Sequence, residues 1–135
     1  MEGARTETEA VTEVRNLAAA PAGTVIAVVK DLFFVARIRE TARLGEVPLL
    51  FARSPEELDA AVLRSPRFVL VDLTAGFDYE RIFGITERAT IPVLAFTTHV
   101  LARQTQPWHG RCRQVVTKER LSQELGSLLQ EGPRA

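Results

Sequence analysis

From residue 24 onward, short unbroken apolar runs alternate with segments whose apolar residues return every third or fourth position. Residues 24–29 are rich in β-branched side chains, as expected of a strand buried on both faces. Asp31 is placed to cap the following helix, where Leu32, Val35, Ile38 and Ala42 share one face up to a stop at Gly45. Residues 47–52 read as a second strand. Ser54-Pro55-Glu56-Glu57 then carries three helix-start signals: an N-cap serine, a proline at the first helical position and a glutamate three residues after the serine. Leu58, Ala61 and Val62 form the inner face of that helix, and Ser65-Pro66 ends it. Residues 67–72 are a third strand that finishes on a carboxylate, Asp72. Residues 79–88 form a helix with Ile82 and Ile85 inward, weakened by Gly84. Residues 91–96 are a fourth strand with Pro92 near its start, where a missing N–H is tolerated. A weak helix over 98–106, a short strand over 113–116 and a closing helix follow. Leu121, Leu125, Leu128 and Leu129 give that last helix its period, and Gly132-Pro133 stops it.

Five strands in strict alternation with amphipathic helices predict one α/β domain: a doubly wound parallel sheet, covered on both faces and joined by right-handed crossovers. The domain is expected over residues 24–131, after a tail or short helix at 1–23 and before a tail at 132–135. In such sheets the working residues gather at the carboxyl ends of the strands, near the point where strand order reverses. Lys30, Asp31, Asp72, Thr97 and Lys118 all stand at or just past an expected strand end.

Composition narrows the function classes. The chain has 135 residues, 46% hydrophobic and 25% charged, enough for one core. Its formal net charge is zero, so it lacks the global basic field of a non-specific nucleic-acid binder. The lone cysteine, Cys112, excludes an internal disulfide framework and a CxxC site. No apolar run is long enough to span a membrane, and the first residues have no apolar h-region, so cytoplasmic residence is expected. Glu2, Glu7, Glu9 and Glu13 make the first segment acidic. Val11, Val14 and Leu17 sit at helical spacing there, which allows a short helix that docks on the domain or on a second copy, a homodimer contact. His99, His109 and Cys112 match no zinc spacing, and no metal site is expected of them. Trp108, after Pro107, reads as a loop anchor.

The ordered set Val28-Val29-Lys30-Asp31, Val69-Leu70-Val71-Asp72, Val93-Leu94-Ala95-Phe96-Thr97 and Val116-Thr117-Lys118 resembles the receiver domain of bacterial response regulators, chemotaxis-regulator-like, over roughly residues 24–130. The resemblance implies a flavodoxin-like fold. It also implies that Asp72 is the phospho-accepting aspartate, Thr97 the hydroxyl switch residue and Lys118 the phosphate-contacting lysine. Such a carboxylate needs Mg²⁺ to offset clustered negative charge as a phosphoryl group arrives, and the metal candidates are Asp31 and Asp72.

Several positions depart from the family pattern. Lys30 stands where the first of two adjacent acids would help hold the metal. Unit charges about 4 Å apart interact by about 1 to 4 kcal/mol between bulk-water and surface dielectrics, so exchanging attraction for repulsion weakens a divalent site considerably. Lys30 could instead act as an internal counter-ion to Asp72. The loop after Asp72 reads Leu73-Thr74-Ala75-Gly76-Phe77 rather than a Met-Pro-containing one. Val115 replaces the expected strand-five aromatic, and Glu119 replaces a proline after the lysine, so the usual cis peptide there is not expected. Lys118 at a helix start opposes the helix dipole, which favours a specific partner such as Asp72. Between Glu87 and Glu119 there is no acid, while Arg88, Arg103, Arg111, Arg113 and Lys118 are all present. In receiver domains the fourth-helix to fifth-helix face meets partners. Arg103, Arg111 and Arg113 are therefore candidates to meet an acidic signalling protein.

The expected function is a stand-alone, atypical receiver, a pseudo-receiver that signals through protein contacts with phosphorylation impaired or lost, and not an enzyme. An active regulator that uses Asp72 with Mg²⁺ is the alternative. A flavodoxin-like ligand-binding protein is a further one, disfavoured because neither GxGxxG nor GxxxxGK[ST] occurs. Val71-Asp72-Leu73-Thr74 also bears a faint likeness to anti-sigma-antagonist domains.

Overall fold

The computed structural model describes residues 23–134; the acidic N-terminal segment and its expected helix lie outside the described residues. Strands β1 (Val25–Val28), β2 (Leu49–Phe51), β3 (Phe68–Asp72), β4 (Val93–Thr97) and β5 (Gln114–Thr117) form one sheet, all neighbours parallel, in the order β2-β1-β3-β4-β5. Helices α1 (Leu32–Leu44), α2 (Pro55–Ala61), α3 (Tyr79–Ala89), α4 (Ala102–His109), α5 (Lys118–Gln123) and α6 (Leu125–Glu131) connect and cover it, and a 3₁₀ turn (Val62–Arg64) follows α2. This is the expected doubly wound, flavodoxin-like class.

The pleat sorts the strand residues between two cores. Val25, Ala27, Phe68, Leu70, Leu94 and Phe96 pack with α1, α5 and α6. Ile26, Val28, Val69, Val71, Val93 and Ala95 pack with α2, α3 and the partly buried Trp108 of α4. Because β1, β3 and β4 are buried on both faces, they need no polar phase, which explains their unbroken apolar runs.

Local chemistry sets the helix starts. Asp31 Oδ1 accepts the backbone N–H of Phe33 at 2.9 Å and of Phe34 at 3.2 Å. Ser54 Oγ accepts from Glu57 N at 3.1 Å, with Pro55 at the first helical position. Glu57 reaches back one residue further than a capping box requires, to the N–H of Arg53. Ser65 ends the second helical unit in the left-handed region, with φ of 55°.

Several expected elements are redrawn. Helix α1 buries Phe34, Ile38 and Ala42, whereas Leu32 is 80% exposed and Val35 only half-buried. The run Leu32-Phe33-Phe34-Val35 fits two adjacent faces, and packing selects the one spaced by four. Helix α4 starts later than the weak pattern suggested, at Ala102, and runs through Pro107. Trp108 is therefore a helical residue stacked on Phe83 rather than a loop anchor. The closing helix is two, divided at Glu124, yet all four of its predicted leucines are buried. Among the described residues no peptide bond is cis, and no helix is long and apolar enough to cross a membrane.

Candidate functional site

Strand order reverses between β1 and β3, so the switch point at which this sheet class binds ligands lies at the strand ends that carry Lys30, Asp31 and Asp72. Asp72 is 5% exposed at the end of the central strand. Its Oδ1 accepts both the backbone N–H and the hydroxyl of Thr74, at 2.8 and 2.7 Å. Its backbone carbonyl accepts the Tyr79 hydroxyl at 2.7 Å. That same phenol oxygen accepts the N–H groups of Ala75 and Gly76, at 3.0 and 3.2 Å. One tyrosine at the start of α3 thus staples the whole loop after β3, and burial raises its pKa.

Lys118 and Lys30 are both near the switch point, but neither pairs with Asp72. Lys118 Nζ lies 3.3 Å from Asp31 Oδ2 and 5.2 Å from the centre of the Phe34 ring. Lys30 Nζ lies 4.5 Å from the centre of the Phe77 ring, a cation–π contact that ties the loop after β1 to the loop after β3. Lys118 was expected to meet Asp72; its contact is with Asp31 instead. Both Asp31 oxygens are engaged, one by the α1 N-terminus and one by Lys118. The Phe34 N–H, then Lys118, hold its carboxyl below the usual value.

Thr97 is buried at the end of β4. Pairing aligns Asp72 with Phe96, which puts Thr97 on the other phase of the pleat, toward α4. There Thr105 Oγ1 lies 3.0 Å from Thr97 Oγ1 and 2.8 Å from His109 Nε2. The switch candidate is thus held in a hydroxyl chain on α4, whose buried anchor Thr105 gave no sequence signal.

The donor set suits a divalent cation poorly. Lys30 adds a cation next to Asp31, Asp31 itself is engaged twice over, and one Asp72 oxygen is occupied by Thr74. Among the described residues no group of three or more His, Cys, Asp or Glu is placed to hold a metal, and this includes His99, His109 and Cys112. Burial pushes the Cys112 thiol up to about 12, and its Sγ contacts the Trp108 carbonyl.

The arginines of the expected partner face differ in availability. Arg111 is turned onto its own chain. It pairs with Glu87 at 2.7 Å and Glu80 at 3.2 Å and lies over Phe83 and Trp108, and the Glu87 hydrogen bonds raise its pKa. Arg103 and Arg113 are exposed. Thr74, Phe77, Tyr79 and Thr105 were missed by sequence reasoning, because their roles arise from loop and helix placement rather than from spacing.

No protein-family model and no curated protein matches the chain. Solved structures do. A response regulator receiver domain protein from Clostridium thermocellum matches with a TM-score of 0.63 at 13% identity, over 80% of this chain and 91% of the other. NtrX from Brucella abortus matches with a TM-score of 0.65 at 16% identity, over 82% of this chain and 27% of that longer one. A de novo designed protein of Rossmann 2x3 fold matches with a TM-score of 0.60 at 15% identity, over 82% and 92%. The fold is that of response regulator receiver domains. At these identities the likeness concerns fold alone. A protein designed for its fold is among the neighbours, and a shared fold does not imply a shared function.

Proposed function

We propose that this chain is a signalling module of receiver type that acts through protein contacts, with phosphoryl transfer to Asp72 impaired or lost. The observation that carries the reading is the state of Asp31. Asp31, the acid at the end of β1 that would share a cation with Asp72, gives one oxygen to the α1 N-terminus and the other to Lys118. The Lys118 pair is half-exposed, so its Coulomb contribution is modest. The cap is what binds Asp31 firmly, since releasing it costs about 1 kcal/mol of helix stability. Lys30 adds a positive charge to the same mouth. A divalent cation, and with it the screening that phosphoryl transfer to a carboxylate requires, is disfavoured on three counts.

Acetyl phosphate with Mg²⁺, followed by intact-mass measurement, tests this. The expected outcome is an unmodified wild-type protein. Stoichiometric phosphoryl incorporation that Asp72→Asn abolishes would establish an active phosphoacceptor instead. The Lys30→Asp variant is expected to bind Mg²⁺ more tightly than wild type, by about tenfold on the charge argument alone.

A further inference from the structure

Helices α1 and α6 pack on the same face of the sheet, and a groove of about 480 Å³ lies between them where α1 ends. Thr41, Leu44 and Gly45 form one wall, and Gly126, Ser127, Gln130 and Glu131 the other. Leu44 is 69% exposed, so most of its apolar surface is left in water. Gln130 Nε2 donates to the Gly45 carbonyl at 2.7 Å and ties the two helices at one end of the groove. A Cβ added at Gly126 would meet the Thr41 methyl at 3.9 Å, an ordinary contact. Helices favour alanine over glycine, so Gly126 keeps its wall low without a packing reason among the described residues.

The described chain begins beside this groove. A Cβ added at Gly23 would lie 3.6 Å from Arg67 Cδ, and the Arg67 guanidinium donates to the Leu129 and Gln130 carbonyls of α6. One arginine side chain thus spans from Gly23 to the groove wall. The five residues before it, Ala18-Ala19-Ala20-Pro21-Ala22, reach about 17 Å when extended. Upstream of them Val11, Val14 and Leu17 share one face at helical spacing, with Thr12 and Asn16 on the other. A helix of that length is marginal in water by itself, so its apolar face needs a surface.

We infer that the segment carrying Val11, Val14 and Leu17 folds back as a helix onto the α1–α6 groove of its own chain, its aliphatic side chains against Leu44 and Thr41. Where the described chain begins and the length of the tether identify the occupant. Five linking residues make docking an intramolecular event, which gives the chain's own segment a higher effective concentration than a second copy. Leu44 and Gly126 then serve one purpose: the first supplies apolar contact, and the second lets a helix backbone come close. Docking decides whether the α1–α6 face is open to other proteins, and it is independent of whether Asp72 accepts phosphate.

Disulfide trapping in the full chain tests this, with Cys112→Ser as background and Ser127→Cys, at an exposed position, as the fixed partner. A second cysteine is placed by Val14→Cys or Leu17→Cys, and by Thr12→Cys or Asn16→Cys for comparison. Non-reducing electrophoresis and peptide mass then follow bond formation under mild oxidation. The Val14 and Leu17 pairs should close within one chain about tenfold faster than the Thr12 and Asn16 pairs. Leu44→Asn should bring the fast pairs down to the slow rate. Equal rates for all four pairs mean a tether without docking and overturn the inference. Bonds formed between chains also overturn it and assign the groove to a second copy. Fast pairs that are indifferent to Leu44→Asn overturn it as well, because the segment then docks elsewhere.

Discussion

Asp31 does two jobs with one carboxylate, and they are separable. Its pKa is lowered from the usual 3.8, first by the Phe34 N–H and then by Lys118. A depressed carboxylate contributes stability above its unfolded pKa, and the contribution is lost as pH falls through the folded value. Asp31→Ala is therefore expected to lower the unfolding free energy by about 1 kcal/mol at neutral pH, with the gap to wild type closing at pH values below 3.8. Asp31→Asn retains the cap and loses only the half-exposed pair, so it should cost a few tenths of a kcal/mol. Urea unfolding across pH checks both. An equal loss in the two variants would mean that Lys118, not the helix start, is the main partner. The cap was legible in the sequence as an aspartate ahead of a helical period. The Lys118 contact was not, because it joins residues 87 positions apart.

At the scale of elements, the loop between β3 and α3 is organised by a side chain that belongs to the helix. The Tyr79 hydroxyl donates to the Asp72 carbonyl and accepts from two loop N–H groups, so Tyr79→Phe leaves three backbone groups without that partner. An unpaired, partly buried polar group costs about 1–3 kcal/mol. With water reaching part of the loop, the expected loss is about 2 kcal/mol in thermal or urea unfolding. Hydrogen exchange at Ala75 and Gly76 should rise together. Wild-type protection there in Tyr79→Phe would show that the loop is held from elsewhere, through Lys30 on Phe77. Sequence reasoning placed the helix start at Tyr79 but read the loop only as a departure from the family's pattern. Periodicity carries no information about where a phenol reaches.

For the molecule as a whole, two phenylalanines separate core from surface. Phe96, 1% exposed, stacks on Phe34 with ring centres 5.2 Å apart between the sheet and α1. Phe96→Ala should cost about 3–5 kcal/mol, a large part of the 5–15 kcal/mol typical of a whole domain. Phe33, one residue from the buried Phe34, is 92% exposed. Its change to Ala should alter stability by less than about 0.5 kcal/mol. Denaturant midpoints of the two variants decide the point. A substantial loss in Phe33→Ala would mean that the residue is covered in solution.

The doubly wound sheet was determined by the sequence itself. Apolar runs at β1, β3 and β4 cannot have a solvated face, and the helices between them leave only parallel pairing with crossovers. The four buried leucines of the closing segment and the caps at Asp31 and Ser54 were equally legible, since each rests on a local pattern, a helical period or a side chain that bonds a backbone N–H two or three residues on. Which face α1 buries, where Thr97 turns and which carboxylate Lys118 meets were decided only in three dimensions. Each is a competition between near-equal local choices, settled by side chains that the fold brings from distant elements. That is why the order of Asp72, Thr97 and Lys118 along the chain marked a fold correctly, while the structure gives each of the three a different partner.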